Sequence, residues 1–217
     1  MYRSKLSNYK IRKILKYFCV DLTAVQCASL SGFNRNTMNR YYTIFRIGIL
    51  ELAALEYKKE VGELGEYEVD ESYFGARRVR GKRGRGASGK TVVFGLLKRN
   101  GKVFTTIIAK ASRAEILPVI KGKVLEGSTV YSDGWKAYDG LITHNYTHHR
   151  IHHTKNQFAR GKNHVNGIEA YWSYAKTRLA KFRGFKGNLA LHLKESEFRY
   201  NHNQDLEKKL IQFLKVS

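Results

Sequence analysis

The chain has 217 residues, of which 42% are hydrophobic and 12% aromatic, enough to form one large domain or a small domain beside a larger one. Lys and Arg number 40 against 18 Asp and Glu, a formal net charge of +22, so the expected partner is a polyanion, most commonly nucleic acid. The longest apolar stretch, Ile47 to Leu55, is short and contains Glu51, which excludes a membrane-spanning helix.

The N-terminus and the cysteines indicate the cellular compartment of the protein. The first residues run into an amphipathic pattern with no signal-peptide core. Cys19 and Cys27 have no Cys or His neighbours at zinc-finger spacing, so we expect them to be core residues in a reducing compartment. A cytoplasmic protein is the resulting expectation.

The N-terminal part of the chain predicts helices. Apolar residues recur at helical spacing from Tyr9 to Phe18. Thr23 or Asp21 can cap a second helix, Gly32 can end it, and Asn34 can cap a third. This is the layout of a helix-turn-helix, although an ordinary helical hairpin fits the same pattern. In a helix-turn-helix, the residues at the start of the recognition helix would meet base edges: Arg35, Asn36, Asn39 and Arg40.

A strand is predicted from Tyr67 to Phe74, because this run is rich in β-formers. Alternation puts Glu68, Asp70 and Ser72 on one face, so the strand does not separate into an apolar and a polar side. Two interpretations are open for an acid in mid-strand. It lies in water on an edge strand, or it faces a cation, since buried carboxylates persist when they are paired or bind metals.

A basic loop follows over residues 75–90. Within it, Gly84 to Thr91 match the nucleotide-binding pattern G-x-x-x-x-G-K-[ST], but a phosphate-binding loop requires a buried strand before it and a helix after it. Here the preceding residues are highly charged, and Val92 to Leu96 are β-branched and apolar. We therefore expect a cationic loop on DNA phosphates instead. Its basic residues are Arg77, Arg78, Arg80, Lys82, Arg83, Arg85 and Lys90.

The rest of the chain predicts a meander, then alternating elements. Asn100-Gly101 between two β-rich runs is a strong hairpin signal. Ser112 and Glu115 have the spacing of a capping box for a helix that Pro118 must kink or delay. Further elements are predicted as strands over 130–133 and within 144–153 and as helices over 163–182 and 189–201. The order is helices, three strands, helix, two strands and two helices.

Three acids on these elements form a candidate metal site: Asp70 and Asp133 on strands, and Glu169 on a helix. Acids in this order can converge at the edge of a mixed sheet of the ribonuclease-H type. Their mutual repulsion calls for divalent cations, and carboxylate oxygens suit magnesium or manganese. Two such ions would support in-line phosphoryl displacement. Acids on strands and helices are common, so this pattern alone is not specific.

Three ordered segments contain these acids: EVDESYFG at 68–75, YSDGWKAY at 131–138 and HVNGIEAYWSYAK at 164–176. Together they resemble the small bacterial insertion-sequence transposases of the ISXO-like DDE group, as does EFRYN at 197–201. The 35 residues between Asp133 and Glu169 also agree with this group. The resemblance covers Glu66 to Asn203. It implies a ribonuclease-H-like domain with Asp70, Asp133 and Glu169 as catalytic metal ligands. Many relatives carry a cysteine-rich zinc ribbon, which this sequence lacks.

Secondary site residues follow from helix geometry. Trp172 and Lys176 lie three and seven residues after Glu169, on the same side of the helix. Lys176 is expected to hold a phosphate, and Trp172 to stack on a base or pack in the core. His164, at the start of the helix, is expected to approach the site. A zinc site is not expected from the histidine-rich stretch, because adjacent histidines on a strand, such as His148 and His149, point to opposite faces.

We therefore predict an α/β (α+β) protein, with a helical helix-turn-helix-like DNA-binding region over residues 1–60 and a ribonuclease-H-like catalytic domain over residues 61–217. The predicted function is that of a DNA transposase that cuts element ends and joins the 3′-hydroxyl to target DNA. Its partners would be double-stranded DNA and a second copy of the chain, in a homodimer or higher assembly. Two alternatives remain: a non-catalytic DNA-binding protein, such as a repressor or domesticated remnant, and a nuclease of the same fold without strand transfer.

Overall fold

The structure is a computed structural model that describes residues 6–59, 62–75, 89–134, 136–151, 164–182 and 188–216. The chain forms two compact units, which we call the helical unit (Met1–Lys59 with Lys181–Ser217) and the sheet unit (Glu60–Ala180). We predicted a single catalytic domain over 61–217, whereas the structure groups the closing helices with the N-terminal ones. The physical reason is a shared core, in which Phe198 and Leu210 pack with Phe18 and Phe45.

In the helical unit, local sequence signals set the helix ends. Thr23 and Gln26 form a capping box, and Gly32 ends the second helix with φ of +70°. The backbone amide of Asn36 donates to the Asn34 side chain at 2.8 Å. These predicted caps are therefore confirmed. The described helices of this unit are α1 (Asn8–Cys19), α2 (Ala24–Ser31), α3 (Arg35–Lys59), α6 (Leu189–Asn201) and α7 (Leu206–Val216).

Buried charges of the helical unit are paired with one another. Glu195 on α6 accepts hydrogen bonds from Arg46 Nε at 2.7 Å and from Arg199 Nε at 2.8 Å. Arg199 also donates to the backbone carbonyls of Phe18 and Cys19. Removal of one partner from such a buried pair leaves an uncompensated charge. These contacts therefore tie the C-terminal helix α6 to N-terminal residues of the same unit.

The described strands of the sheet unit form one five-stranded sheet, of order β3-β2-β1-β4-β5. The first three strands are an antiparallel meander, and β4 and β5 run parallel to β1. The hairpin between β2 and β3 turns at Asn100, which has φ of +58°. This arrangement confirms the predicted ribonuclease-H-like mixed sheet. The strands are β1 (Glu66–Phe74), β2 (Thr91–Lys98), β3 (Val103–Ile108), β4 (Thr129–Asp133) and β5 (Thr147–Ile151).

Helices cover both faces of this sheet. On one face, Ile116 and Ile120 of α4 (Arg113–Lys121) pack in a core that includes Tyr67 and Val69. On the other face lies α5 (Asn166–Ala180), whose Ile168 amide donates to Glu68 and whose Trp172 lies against Gly95. The alternation predicted for β1 is thus confirmed. Ser112 is the N-cap of this helix, as predicted, but its side chain makes no cap hydrogen bond, so the predicted capping box is wrong. The helix begins at Arg113 and includes Pro118, so the alternative of a later start is wrong as well. Among the described residues, no helix is long and apolar enough to cross a membrane.

His148 on β5 gives a prediction about pH. Its Nε2 lies 2.8 Å from Ser132 Oγ. Burial lowers the pKa of His148 to about 4, with Arg150 and His149 adding to the effect and Asp139 opposing it. An unfolded histidine has a pKa of about 6.5. As the pH falls, the unfolded state therefore binds a proton before the folded state does. The free energy of unfolding decreases as the pH drops from about 6.5 to about 4.

We expect His148→Gln to lose less stability than the parent chain over this pH range, because glutamine keeps a polar partner for Ser132 and does not titrate. Urea unfolding measured at pH values from 7.5 to 4.5 gives the free energy of unfolding for both chains. Parallel pH curves for the two would contradict the assignment.

Candidate active site

The sheet brings Asp70 and Asp133 to neighbouring positions. Glu68 of β1 pairs with Tyr131 of β4 in a parallel register. Each acid follows its member of this pair by two residues on the same strand. Because the two strands run parallel, both acids lie at the same end of the sheet. Each acid also lies on the same face of its strand as the residue two positions before it.

Glu169 approaches from the first turn of α5. Together with Asp70 and Asp133 it lines a cavity of about 590 Å³. The three acids predicted to converge therefore border the same cavity, although their chemical role stays a prediction. The other lining residues are Glu71, Ser72, Tyr73, Lys90, Val165, Trp172, Ser173 and Lys176.

Burial and two neighbouring acids disfavour the ionised form of Asp70. Burial raises the pKa of Asp70 to about 6, and the negative charges of Asp133 and Glu169 raise it further. A backbone hydrogen bond at Glu71 and the indole of Trp172 oppose the rise. Each acid thus disfavours ionisation of Asp70, which is the behaviour of carboxylates that share a site without a cation.

Oxygen ligands of this kind fit a hard divalent cation. In the described part of the chain, no three side chains of His, Cys, Asp or Glu are already close enough together to hold a metal ion. The fit therefore rests on the shared cavity and on the raised pKa of Asp70. A bound cation would offset the repulsion that raises this pKa.

A fourth acid that lines the cavity, Glu71, is not among the residues predicted for the site. The hydroxyl of Tyr138 donates to Glu71 Oε1 at 2.5 Å. Burial raises the pKa of Glu71 to about 7, and it also raises the pKa of the Tyr138 hydroxyl well above its usual value. Both residues lie within the family-like segments at 68–75 and 131–138, so those segments contained the signal for this pair.

Two lysines supply positive charge to the cavity. Lys176 and Lys90 both line it. Burial lowers the pKa of Lys176, and Lys90 lowers it further, whereas Asp70 opposes the change. The Lys176 ammonium also lies 5.9 Å from the ring centroid of Phe74. Its predicted contact with a phosphate is consistent with this position and stays a prediction.

Trp172 is packed in the core, the second of the two roles predicted for it. Its side chain is 4% exposed, and its ring contacts Phe74 edge-on at a centroid distance of 6.0 Å. It lies against Gly95, where an added Cβ would come within 2.4 Å of its Cζ2 atom. The closely packed indole has no open face for a DNA base, so base stacking is not supported.

His164 was predicted to approach the site, but it lies beside Glu68, outside the cavity. Its Nδ1 atom is 3.4 Å from Glu68 Oε1, and it is absent from the lining of the cavity. The adjacent histidines of β5 point to opposite faces of the strand, as predicted. His148 lies next to Ser132, whereas His149 stacks on Tyr131. His152 and His153 lie outside the described residues.

The remaining DNA-binding predictions lie in two places. Arg35, Asn36, Asn39 and Arg40 are exposed on the first turns of α3. Of the basic loop, only Gly75, Gly89 and Lys90 fall within the described residues. Thr91 begins a strand and not a helix, which agrees with the rejection of a nucleotide-binding loop. The following predicted contacts lie outside the described residues: Arg77, Arg78, Arg80, Lys82, Arg83 and Arg85.

Comparisons with known proteins identify similar sequences. The family model described as "ISXO2-like transposase domain" matches residues 64–201. A protein of Haemophilus influenzae named "Uncharacterized transposase-like protein" is 39% identical over 104 residues, which are 48% of this chain and 84% of that protein. A protein of Halobacterium salinarum named "Uncharacterized protein in transposable element ISH50" is 32% identical over 176 residues, or 73% of this chain and 60% of that protein.

Solved structures give weaker likenesses. A chain of the simian T-cell lymphotropic virus intasome in complex with PP2A regulatory subunit B56 gamma aligns with a TM-score of 0.44 at 11% identity, covering 88% of this chain and 68% of that one. A chain of the Mos1 Strand Transfer Complex aligns with a TM-score of 0.36 at 11% identity, covering 100% of this chain and 76% of that one.

Proposed function

Because the chain belongs to the family of ISXO2-like transposase domains, we propose that it is the transposase of an insertion sequence and that its phosphoryl-transfer site is the cavity bordered by Asp70, Asp133 and Glu169. One observation carries this proposal. Acids from two neighbouring strands and from a helix line a single cavity, and their charges act together on the pKa of Asp70.

This chemistry requires divalent cations, and Asp70, Asp133 and Glu169 would hold two magnesium or manganese ions. Such ions activate the attacking oxygen and stabilise the leaving oxygen of an in-line displacement at phosphorus. Lys176 and Lys90 would hold the phosphates of the bound strand near the cavity, as cations do for phosphoryl groups. Trp172 would keep the helix that carries Glu169 against the sheet.

Two displacements at phosphorus make up the proposed reaction. In the first, a water oxygen attacks the phosphorus at the element end, and the bond from phosphorus to the element's 3′ oxygen breaks. The element then carries a free 3′-hydroxyl. In the second, this hydroxyl attacks a phosphodiester of the target, whose own bond from phosphorus to the 3′ oxygen breaks. Neither step needs an oxidant or a further reactant.

Double-stranded DNA, at the element ends and at the target, is the proposed partner. Arg35, Asn36, Asn39 and Arg40 are exposed at the start of a helix that follows a tight turn, which is the geometry of a recognition helix. The net charge of +22 supports binding to the phosphate backbone, so affinity would fall steeply with added salt. Bringing two ends together would require a dimer or a higher assembly.

The test is a cleavage and joining assay on labelled duplexes that carry the DNA flanking this gene. We expect nicking at the element end and joining to a second duplex in magnesium or manganese, and neither product in chelator. Cleavage without joined products would favour the nuclease alternative. Binding without either product in both metals would contradict catalysis and favour the DNA-binding protein.

A further inference from the structure

Glu68 and Arg99 form a charged pair outside the cavity. This pair connects the segments that carry the three acids. Glu68 is 1% exposed, so its carboxylate needs partners. Its Oε1 atom accepts from Arg99 Nε at 3.0 Å. Its Oε2 atom accepts from the backbone amide of Ile168 at 3.0 Å. One buried carboxylate therefore joins β1 to the first turn of α5, where a negative charge is also favoured by the helix dipole.

Arg99 extends these connections with the rest of its guanidinium. Nη1 donates to Glu66 Oε2 at 2.7 Å, and Nη2 donates to the backbone carbonyl of His164 at 2.6 Å. The guanidinium carbon lies 3.7 Å from the ring centroid of Tyr131. A planar group with several donors can hold all these partners at once, which an ammonium group cannot do.

Each contact lies a fixed, short distance along the chain from one of the acids. Glu68 precedes Asp70 by two residues, and Tyr131 precedes Asp133 by two residues. Two residues of strand span about 6.6 Å. Ile168 immediately precedes Glu169. The pair thus contacts all three segments within one or two residues of their acids.

The neighbouring backbone is built to admit this pair. A Cβ added at Gly167 would lie 2.5 Å from Leu97 Cδ2 and 2.9 Å from Glu68 Oε2. Only a residue without a side chain allows the start of α5 to come this close to β1 and β2 without a shift. The close approach is what lets the Ile168 amide reach Glu68.

Stability alone does not account for such a pair, because apolar residues of similar volume often replace buried ion pairs without loss of stability. Groups that orient metal ligands, in contrast, commonly affect metal affinity or activity. We propose that Glu68 and Arg99 are positioning residues, which fix the relative places of Asp70, Asp133 and Glu169 and thereby set the affinity for a divalent cation. This inference rests on the proposed function.

The test compares Arg99→Lys and Glu68→Gln with the parent chain and with Arg46→Lys. Arg46 is a matched control, since it is 8% exposed and pairs with Glu195 in the helical unit. Binding of Mn²⁺ is read from the loss of the free-ion EPR signal, and the Mn²⁺ concentration for half-maximal cleavage is measured beside it. Circular dichroism on heating reports the fold.

We expect both test variants to fold and to need roughly 10- to 100-fold more Mn²⁺ for half-saturation, whereas Arg46→Lys stays within about twofold of the parent, as expected for a site with no link to the ligands. Because the two residues act as one unit, the double variant Glu68→Gln/Arg99→Lys should be little worse than the more impaired single variant.

Native Mn²⁺ dependence in folded Arg99→Lys and Glu68→Gln would overturn the positioning role. Unfolding of both variants would overturn it as well, because the pair would then be holding the fold. Failure of the proposed function is a separate result: the parent chain itself would neither bind Mn²⁺ nor cut DNA.

Discussion

Asp70→Asn, Asp133→Asn and Glu169→Gln are each expected to lower metal-dependent cleavage and joining by roughly 1000-fold or more, a loss of at least about 4 kcal/mol in transition-state stabilisation. Each change removes a charged oxygen from the cavity that the three acids line together. Binding of the duplex should persist, because the positive charge of the chain is unchanged. Single-turnover cleavage and gel-shift measurements on the same labelled duplex test both statements.

Matched controls for these variants are Asp139→Asn and Glu115→Gln. Asp139 pairs with Arg150 at 2.8 Å, and Glu115 lies exposed in the first turn of α4; neither lines the cavity. We expect both controls to cleave DNA like the parent chain. Parent-like cleavage by any of the three acid variants would remove that acid from the proposed site.

Thermal unfolding separates lost chemistry from lost structure in Asp70→Asn. The folded pKa of Asp70, about 6, is raised mainly by burial and lies above the value of about 3.9 in an unfolded chain. Ionisation of Asp70 therefore lowers the free energy of unfolding as the pH rises from about 3.9 to about 6. In metal-free buffer at pH 7.5 we expect the asparagine variant to melt no lower than the parent chain.

Gly95→Ala is expected to destabilise the sheet unit by about 1–3 kcal/mol and to impair cleavage with it. The added Cβ would lie 2.4 Å from Trp172 Cζ2 and 3.0 Å from Ile168 Cδ1. Both neighbours belong to α5, so the helix must move away from the sheet or the strand must bend. Since Gly95 pairs with Asp70 in the β1 and β2 register, either movement changes the position of Glu169 relative to Asp70.

Rescue distinguishes this collision from a general effect of the substitution. Trp172→Phe removes the Cζ2 and Cη2 atoms that the new methyl group meets, so the double variant should regain part of the lost stability. Gly65→Ala is the control, because its Cβ first meets the end of the flexible Lys98 side chain at 3.2 Å. Urea unfolding of the parent chain, the three single variants and the double variant measures the differences. A Gly95→Ala chain as stable as the parent would show that the contact is not close.

Local patterns were sufficient to predict much of this architecture. The alternation around Asp70, the Asn100-Gly101 turn and the caps at Thr23 and Asn34 all depend on residues close together in sequence, and the structure contains each of them. Helix α7 was missed, although Leu206 and Leu210 recur at helical spacing and are both buried.

The network around Glu68 was not predictable in the same way. Arg99 sits in a turn, where a charged residue is normally solvated, and its partners are the side chains of Glu66 and Glu68 and the carbonyl of His164. Only the closure of the sheet and the approach of α5 bring these groups together. A single sequence contains no local periodicity that marks such a contact, so it becomes visible only in three dimensions.

The shared core of the helical unit constrains the order in which the two units can fold during synthesis. Phe18 emerges from the ribosome long before Phe198 and Leu210, its partners in that core, and domains tend to fold as their residues become available. The sheet lies between these segments in the sequence and contains its own core. The sheet of a nascent chain can therefore form first, whereas the helices at the beginning of the chain cannot complete their packing until both α6 and α7 have been translated.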